Sequence, residues 1–286
     1  MTNAEMVSMY LAHCHDYYGT GPRSTTAAVE LAVRPLVATY GHLEGLSLSE
    51  LKKVREAMLE ANLARSTINA RIDKIVRMYR WLESEDQVEP GTYQRLRTLA
   101  HLKRGRCRAA DPPKRQPVDA VAVQQTIDCC DEMLSDMVAV QWFTGCRSGS
   151  LVAANRNQFL RDHAHLSWYP LHKTAYLGHE MELPIGPKCQ AVLRPYLQKA
   201  GDLFLHRRGK TYSPWSYRRA LVRVQERYNL PRWTPHQLRH ARANLVRSRL
   251  GVEAAQAVLG HRTVNATQLY AGRQLALARE AAEKLG

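Results

Sequence analysis

The sequence is short of acidic residues: 26 aspartates and glutamates stand against 41 lysines and arginines, which leaves a formal net charge of +15 over 286 residues. It also lacks a long apolar stretch, because polar residues interrupt residues 1–21 too often for a signal peptide or a membrane span. These absences predict a cytoplasmic protein whose positive surface attracts polyanions. Charge alone does not separate a nucleic-acid-binding protein from a ribosomal, membrane-surface or heparin-binding one.

A further absence concerns paired cysteines. No C-x-x-C pair occurs among the six cysteines, Cys14, Cys107, Cys129, Cys130, Cys146 and Cys189. In a chain of this length, that absence predicts buried free thiols that take no part in chemistry.

The stretch TPHQLRH, residues 234–240, is the first candidate functional motif, and it offers two alternatives. A metal site would place His236 and His240 on one face of a helix, as in the H-E-x-x-H proteases. Gln237 cannot act as the general base that those enzymes need, and Arg239 would set a fixed positive charge beside a dication. The motif therefore predicts no metal, and no other motif predicts a cofactor.

The same stretch predicts the start of a helix. Thr234 suits the N-cap, Pro235 suits the first helical position, and Gln237 can close a capping box. His236 and Arg239 then point the same way from the positive end of the helix. This arrangement suits an anion such as phosphate.

Residues 1–104 are predicted to form a helical domain. Its clearest helix is STINARIDKIVRMYRWLES, which Ser66 can cap. The apolar residues at helical spacing are predicted to be core: Ile68, Ile72, Ile75, Val76, Tyr79 and Leu82. A basic stripe on another face, formed by Arg71, Lys74 and Arg77, is either a phosphate contact or an ordinary solvated face.

A basic segment follows this domain. Residues 105–117 contain prolines and no apolar periodicity, so they predict a linker to a second domain at 118–286. Lys103, Arg104 and Arg106 are further candidate DNA contacts, because a cation near a phosphate displaces condensed counterions. A plain soluble tether is the alternative.

The second domain has a mixed pattern. A helix is predicted to end at Thr144 and Gly145, and a short helix opens near Arg147. Alternation on both sides of a break predicts an antiparallel β-hairpin with Lys173 near its turn. The alternating apolar positions are Leu166, Trp168, Met181, Leu183 and Ile185.

Two shorter helices are predicted toward the C-terminus. VEAAQAVLGH forms a short apolar helix that Gly260 stops, which exposes His261 just past its end. TVNATQLYA then carries Tyr270 on another helix.

These motifs together resemble the tyrosine recombinase family, the phage integrases and related site-specific DNA recombinases. The resemblance is carried by an arginine after a TG turn, a lysine in a KT pair, HQLRH, LGH and a tyrosine in QLYA, in that order. It spans residues from about 118 to 275, whereas residues 1–104 resemble the family's core-binding domain only in size, charge and helicity.

The resemblance implies six site residues, Arg147, Lys173, His236, Arg239, His261 and Tyr270. Tyr270 would be the nucleophile, and the two arginines would hold the scissile phosphate. Lys173 would protonate the leaving oxygen. His236 would support proton transfer from the tyrosine, and His261 would donate a hydrogen bond to the phosphate. Two guanidiniums suit a metal-free reaction, since they are permanently charged and can each donate to two oxygens.

The implied fold is mainly α with a small antiparallel β-sheet, made of a helical core-binding domain and a catalytic domain. The implied activity is site-specific recombination or integration through a 3′-phosphotyrosyl link, on double-stranded DNA, by a tetramer on paired sites. The resemblance leaves four roles open: integration of a mobile element, its excision, resolution of replicon dimers and inversion of a DNA segment. It implies a location on the nucleoid and no contact with membranes. The alternatives are an inactive DNA-binding protein on the same fold and a type IB-like topoisomerase.

One position departs from the family pattern. An acidic residue commonly follows the first arginine by three positions, where this sequence has Ser150. The resemblance implies that this acid orients the arginine or a histidine. The serine is therefore predicted to hold that side chain less firmly, while every reactive group remains. His240 is expected to be a buried supporting side chain.

The C-terminal stretch RQLALAREAAEKLG predicts a last helix. Its apolar positions are Leu275, Ala278, Ala282 and Leu285. We expect this helix to dock on a neighbouring subunit, with packing against its own domain as the alternative.

Overall fold

In the computed structural model the chain divides into two compact units, residues 1–114 and residues 115–286. The structure describes residues 1–19, 21, 24–113, 116–162, 165–171, 181–206, 209–259 and 271–285, and in the last range the side chains from residue 278 on. Helices dominate both units and a small antiparallel sheet lies in the second, so the predicted fold class is confirmed. Within these ranges, none of the helices combines the length and the apolar surface that spanning a bilayer requires.

The first unit is built from α1 (Asn3–Tyr18), α2 (Thr25–Tyr40), α3 (Leu48–Glu60), α4 (Arg65–Ser84) and α5 (Thr92–Arg97). Two of these helices begin at complete capping boxes, formed by Thr2 with Glu5 and by Ser47 with Glu50. Each box satisfies backbone N–H groups that the first helical turn leaves without partners.

Helix α4 lies at the centre of the first unit's core. Its predicted apolar face is buried at Ile68, Ile72, Ile75, Tyr79 and Leu82, with Val76 packed at the edge. The predicted cap at Ser66 was wrong, because the helix begins at Arg65 and its N-cap is Ala64, two residues earlier, which has no side-chain acceptor. The Arg65 backbone N–H instead donates to the Ala110 carbonyl at 3.0 Å, so a tertiary contact does the work of a cap.

The start of the predicted linker lies on this first unit. Arg65 Nε donates to Asp111 at 2.9 Å, and Arg108 Nη2 donates to Glu56 at 3.1 Å. The boundary between the two compact units, after residue 114, falls inside the segment 105–117.

The second unit contains α6 (Ala120–Asp128), α7 (Glu132–Thr144), α8 (Ser148–Val152), a 3₁₀ turn (Arg156–Gln158), β1 (Phe159–Asp162), β2 (His165–Trp168), β3 (Leu183–Ile185), α9 (Pro187–Leu197), α10 (Pro214–Arg227), α11 (Pro235–Leu259) and α12 (Ala271–Leu285). Its core surrounds the fully buried Trp168.

The sheet has the order β1-β2-β3 and is antiparallel throughout. Strands β2 and β3 form the predicted hairpin, with Leu166 opposite Ile185 and Trp168 opposite Leu183. Strand β1 is an addition that the sequence pattern does not predict, since FLRD alternates too briefly to stand out.

Helix α11 is divided by a break at Gly251, which has φ +89° and ψ 175°. The predicted short helix VEAAQAVL is the part of α11 after this break. A left-handed φ of this kind is readily adopted only by glycine, so the division of α11 depends on the identity of one residue.

Helix α12 packs within its own chain. Ala278, Ala281 and Ala282 are buried, and Ala278 and Ala281 pack in one cluster with Val246 and Ala254 of α11. Within the chain, α12 thus packs on its own domain. Docking of this helix on a neighbouring subunit stays a prediction.

The burial expected for the six cysteines holds for half of them. Cys14, Cys146 and Cys189 are buried, whereas Cys107, Cys129 and Cys130 are half-buried, and all six are free thiols. Burial raises the pKa of Cys146 to about 11, so this thiol stays protonated and unreactive.

The turn after α7 yields a stability prediction. Gly145 has φ +65°, and a Cβ placed there would lie 3.0 Å from Arg242 Cγ. Gly145→Ala should therefore lower the free energy of unfolding by more than the roughly 1–2 kcal/mol of left-handed strain alone, as measured by urea denaturation.

The matched control is Gly201→Ala. Gly201 has φ +88°, and a Cβ added there would meet nothing within 4 Å, so the substitution carries the backbone strain without the close contact. A loss at Gly201 equal to or larger than the loss at Gly145 would contradict the role assigned to the Arg242 contact.

Candidate active site

Arg147 is held at the N-cap of α8, directly after the α7 turn. Thr144 Oγ1 accepts the Cys146 N–H at 3.2 Å, and Gln141 Nε2 donates to the Cys146 carbonyl at 3.1 Å. The Tyr217 hydroxyl donates to Gln141 at 3.1 Å. Buried hydrogen bonds thus fix the backbone of the turn, while the Arg147 side chain remains exposed.

Arg239 comes to the same place from α11. Its side chain is only 4% exposed, and its Nη1 donates to the Gly145 carbonyl at 2.8 Å while Nη2 donates to the Leu259 carbonyl at 2.7 Å. One guanidinium therefore joins the turn before Arg147 to the end of α11.

The two arginines lie close enough to act on each other electrostatically. The pKa of Arg239 is lowered to about 10, mainly by burial and further by the positive charge of Arg147. Two cations held together in this way form a site that an anion stabilises. The structure thus brings together the two residues predicted to hold the phosphate.

His236 is exposed on the first turn of α11, and its ring centroid lies 4.5 Å from that of His240 in a T-shaped arrangement. The expected burial of His240 was wrong. One turn after His236, it faces the same side, whereas the buried side of α11 is occupied by Leu238, Arg239 and Ala241. Within the described residues, no three His, Cys, Asp or Glu side chains group as metal ligands would.

The start of α11 follows the predicted capping pattern with one change. The Thr234 backbone N–H donates to Gln237 Oε1 at 2.9 Å, which is the expected half of the box. The Thr234 hydroxyl also donates to Gln237 Oε1, at 3.1 Å. Gln237 Nε2 donates to the Gln116 carbonyl at 2.9 Å, so the amide links the helix start to the beginning of the second unit.

Lys173, His261 and Tyr270 lie outside the described residues. Near Lys173 and His261 two described carbonyls accept hydrogen bonds, and directly after Tyr270 a described helix begins. The Leu171 carbonyl accepts a hydrogen bond from Ser150, the Leu259 carbonyl accepts one from Arg239, and α12 begins at Ala271.

Arg242 is a buried arginine that the sequence patterns did not single out. It is 1% exposed, and its Nη1 donates to the Leu285 carbonyl at 2.8 Å while Nη2 approaches the Ala281 carbonyl at 3.5 Å. A cation at these last carbonyls interacts favourably with the negative end of the α12 dipole. The signal available in the sequence was an arginine three residues after Arg239, on the apolar side of α11.

The candidate DNA-contact residues all lie in the first unit. Arg71 and Lys74 are half-buried, and the exposed ones are Arg77, Lys103, Arg104 and Arg106. Arg104 Nε lies 3.7 Å from Asp111, so part of its charge is compensated within the unit.

Helix α10 presents a basic stripe that was also missed. Trp215 is 51% exposed, and the guanidinium carbon of Arg219 lies 5.1 Å from the centroid of its ring system. Arg223 follows at the same helical spacing and is exposed. Because α10 packs beside α8, this stripe lies in the unit that contains the arginine pair. The i, i+4, i+8 spacing was the available signal.

Comparison with known proteins gives one family match. A model of the Phage integrase family matches residues 120–275, which is more than half of the chain. The resemblance predicted from the motifs is therefore confirmed.

Two curated relatives are tyrosine recombinases. The chain is 23% identical to Tyrosine recombinase XerC of Oceanobacillus iheyensis over 251 residues, 80% of this chain and 77% of that protein. It is 29% identical to Tyrosine recombinase XerC of a Roseiflexus species over 147 residues, 47% of this chain. That second match covers only 45% of the Roseiflexus protein.

Solved structures share the fold. A lambda integrase dimer bound to a COC′ core site superposes with a TM-score of 0.71 at 14% identity, covering 92% of this chain and 96% of that one. The Tn1549 transposon integrase in complex with circular intermediate DNA gives 0.69 at 17% identity, covering 96% and 99%.

The arginine pair yields a prediction on anion binding. Arg147→Gln removes a like charge beside Arg239, so the melting temperature without added anion should stay the same or rise, since the repulsion is lost. The additional stabilisation by sulfate should largely disappear, because one of its two donors is gone. Thermal melts in sulfate and in chloride at equal ionic strength measure both effects.

Arg247→Gln is the matched control for this prediction. It removes one exposed positive charge from the same helix, α11, and leaves Arg239 in place. Sulfate also stabilises proteins by exclusion from their surface, so only the difference between the two variants counts. An equal sulfate response in both would argue against an anion site at the arginine pair.

Proposed function

The chain belongs to the phage integrase family, and from this premise we propose that it is a site-specific DNA recombinase or integrase. It cleaves and rejoins DNA strands through a 3′-phosphotyrosyl intermediate and uses neither metal nor ATP. Residues 1–104 serve as the core-binding domain, residues 105–117 as the linker and residues 118–286 as the catalytic domain.

The single observation that carries the proposal is the pairing of Arg147 with the buried Arg239. Transfer of a phosphoryl group spreads negative charge over non-bridging oxygens in the transition state. Guanidiniums stay charged and donate to two oxygens at once, so such a pair can neutralise that charge without a metal. Their mutual repulsion in the free protein is relieved when the phosphate is between them.

Tyr270 is the nucleophile in this proposal. Helix α12 begins directly after it, and Arg242 and the buried alanines fix that helix on α11, which also carries Arg239. A tyrosine hydroxyl has a pKa of about 10 in water, so it must lose its proton as it attacks, and a cationic site lowers that cost. The phenolic oxygen bonds to phosphorus as the 5′ oxygen leaves. One ester replaces another, and rejoining needs no ATP.

The remaining residues handle protons and the phosphate. Lys173 gives its proton to the departing 5′ oxygen, which is a poor leaving group until it is protonated. His236, exposed at the start of α11, supports proton transfer from Tyr270. His261, which follows the Leu259 carbonyl by two residues, donates a hydrogen bond to the phosphate.

Double-stranded DNA is the proposed partner. The first unit presents Arg77, Lys103 and Arg106 as exposed cations, and the second presents the Trp215–Arg219 stripe. Both sets suit contacts to the DNA backbone, where each neutralised phosphate releases counterions. We place the protein in the cytoplasm, on the nucleoid.

Assembly on DNA is proposed to be a tetramer on paired sites. One lambda integrase structure of this fold is a tetramer bound to a Holliday junction, with a TM-score of 0.71 and 14% identity, covering 94% of this chain and 80% of that one. Strand exchange between two DNA sites requires four cleavages, which four copies of one catalytic domain supply.

A DNA-binding protein without catalysis is the second candidate function, and Ser150 is the observation that favours it. An acidic residue at this position is implied to support the reactive groups, and the serine removes that carboxylate. A type IB-like topoisomerase would form the same adduct but relax supercoiled DNA as a monomer without paired sites.

Covalent trapping tests the proposal. Wild-type protein incubated with nicked or supercoiled DNA in the presence of a chelator should form a protein–DNA adduct that survives denaturation. Tyr270→Phe should form none, because it lacks the attacking oxygen. Tyr228→Phe is the matched control, since Tyr228 is an exposed tyrosine of the same unit and should keep the adduct.

The outcomes separate the candidates. If the wild type forms no adduct with DNA that it demonstrably binds, the recombinase proposal is wrong and the non-catalytic candidate stands. If an adduct forms and supercoils are relaxed by the monomer without strand exchange between sites, the topoisomerase is favoured.

The DNA contacts of the first unit yield a salt-dependence prediction. Lys103→Gln/Arg106→Gln should lower the slope of log affinity against log salt by about 1.8, at about 0.9 per lost phosphate contact. Affinity is measured by fluorescence anisotropy over a salt series. Lys52→Gln/Lys53→Gln removes the same charge from the exposed face of α3 and should leave the slope nearly unchanged. Equal changes in both variants would show that these positions act through net charge only.

A further inference from the structure

We propose that Ser150 is a positioning residue for the general acid: its hydroxyl holds the chain just before Lys173, so that the lysine meets the departing 5′ oxygen. This inference rests on the proposed function. It assigns a task to the one position where the site departs from the family pattern.

The contact itself is direct. Ser150 lies in α8 with 8% of its surface exposed, and its Oγ donates to the Leu171 carbonyl at 3.2 Å. Leu171 precedes Lys173 by two residues, a span of roughly 7 Å at most in an extended chain. Helix α8 also has Arg147 at its N-cap. One five-residue helix therefore links a proposed phosphate-binding arginine to Leu171, two residues before the lysine.

Ser150 is the last described anchor on this side of the hairpin. The Tyr169 backbone N–H donates to the Gln158 carbonyl at 2.8 Å, two residues before the Ser150 contact. On the returning side, Glu182 accepts from the Ser167 hydroxyl at 2.7 Å and lies 3.5 Å from Arg279 of α12. The described residues on both sides of 172–180 are therefore held by contacts, and the Ser150 hydroxyl makes the one nearer in sequence to Lys173.

The chemistry of the contact explains why the residue is a serine. A main-chain carbonyl needs a donor, and a hydroxyl supplies one, whereas an ionised carboxylate only accepts. The acidic residue implied by the family pattern could not make this bond in its charged form. Ser150 thus helps to position Lys173, whereas the acidic residue of the family pattern was implied to orient an arginine or a histidine.

The test compares two leaving groups. Single-turnover rates of adduct formation are measured at saturating DNA for an ordinary substrate and for one with sulfur in place of the bridging 5′ oxygen. A thiol is far more acidic than an alcohol, with a pKa of about 8.5, so the sulfur leaves without a proton from the enzyme. A defect in positioning the general acid should therefore appear only with the oxygen substrate.

Ser150→Ala should slow cleavage of the oxygen substrate about five- to tenfold, the effect of one lost hydrogen bond. With the sulfur substrate it should react at the wild-type rate. Ser150→Thr keeps the donor and should retain most of the activity with both substrates. Lys173→Ala should show the same pattern as Ser150→Ala with a larger defect, and Arg147→Gln should be slow with both.

Two further variants separate the loss of this hydrogen bond from a general loss of folding stability. Ser148→Ala removes another hydroxyl from α8 and should leave the rates unchanged. Ser150→Cys keeps the volume of the side chain but is a weak donor. It should reproduce the oxygen-specific defect even where Ser150→Ala melts at a lower temperature.

Each outcome decides the matter. Wild-type rates for Ser150→Ala and Ser150→Cys with the oxygen substrate would overturn the inference. Equal slowing with oxygen and sulfur would overturn it as well, because the residue would then act through Arg147 or through the fold. An absence of adduct from the wild type with both substrates would instead overturn the proposed function, and the inference would fall with it.

Discussion

The second unit depends on one buried cation. Arg239 places its guanidinium between the carbonyls of Gly145 and Leu259, so that two backbone segments far apart in sequence meet at one side chain. Removing a cation from water is costly, and these carbonyls offset part of that cost. A guanidinium held in this way cannot swing toward solvent. In the proposed reaction, a donor that is already in place would need no reorganisation when charge develops on a phosphate.

Helix α11 extends the same principle to the end of the chain. Arg242 lies one turn beyond Arg239 and directs its charge to the last carbonyls of α12 instead of to the site. Both arginines have a lowered pKa, to about 10, with burial as the main cause. Helix α11 thus carries Arg239, which binds the turn at Gly145, and Arg242, which binds the end of α12. Arg242 also passes close to the end of α7, since a Cβ added at Gly145 would lie 3.0 Å from its Cγ.

The elements that the sequence predicted well are those with local signals. The apolar spacing of α4, the turn at Gly145, the hairpin of β2 and β3 and the start of α11 each depend on residues close together in the chain. Two features escaped the sequence patterns because a distant residue takes the place of a local one. The cap of α4 comes from Ala110, and the burial of Arg242 is explained by the carbonyls of Leu285 and Ala281 in α12. The family motifs named the arginine pair, but no spacing rule could show that Arg239 would be buried or that Ser150 would reach Leu171.

The contact between Arg65 and Ala110 determines how much of the chain must stay together when the first unit is joined to a different second unit. The first turn of α4 is completed by a residue that the sequence assigns to the connection between domains. A fragment ending at residue 104 would lose that acceptor together with the Asp111 carboxylate that binds the Arg65 side chain. The segment that folds as the first unit is therefore longer than the predicted helical domain 1–104. A gene fusion that joins the first unit to a different second unit must include the connecting segment at least through Asp111 to keep both contacts.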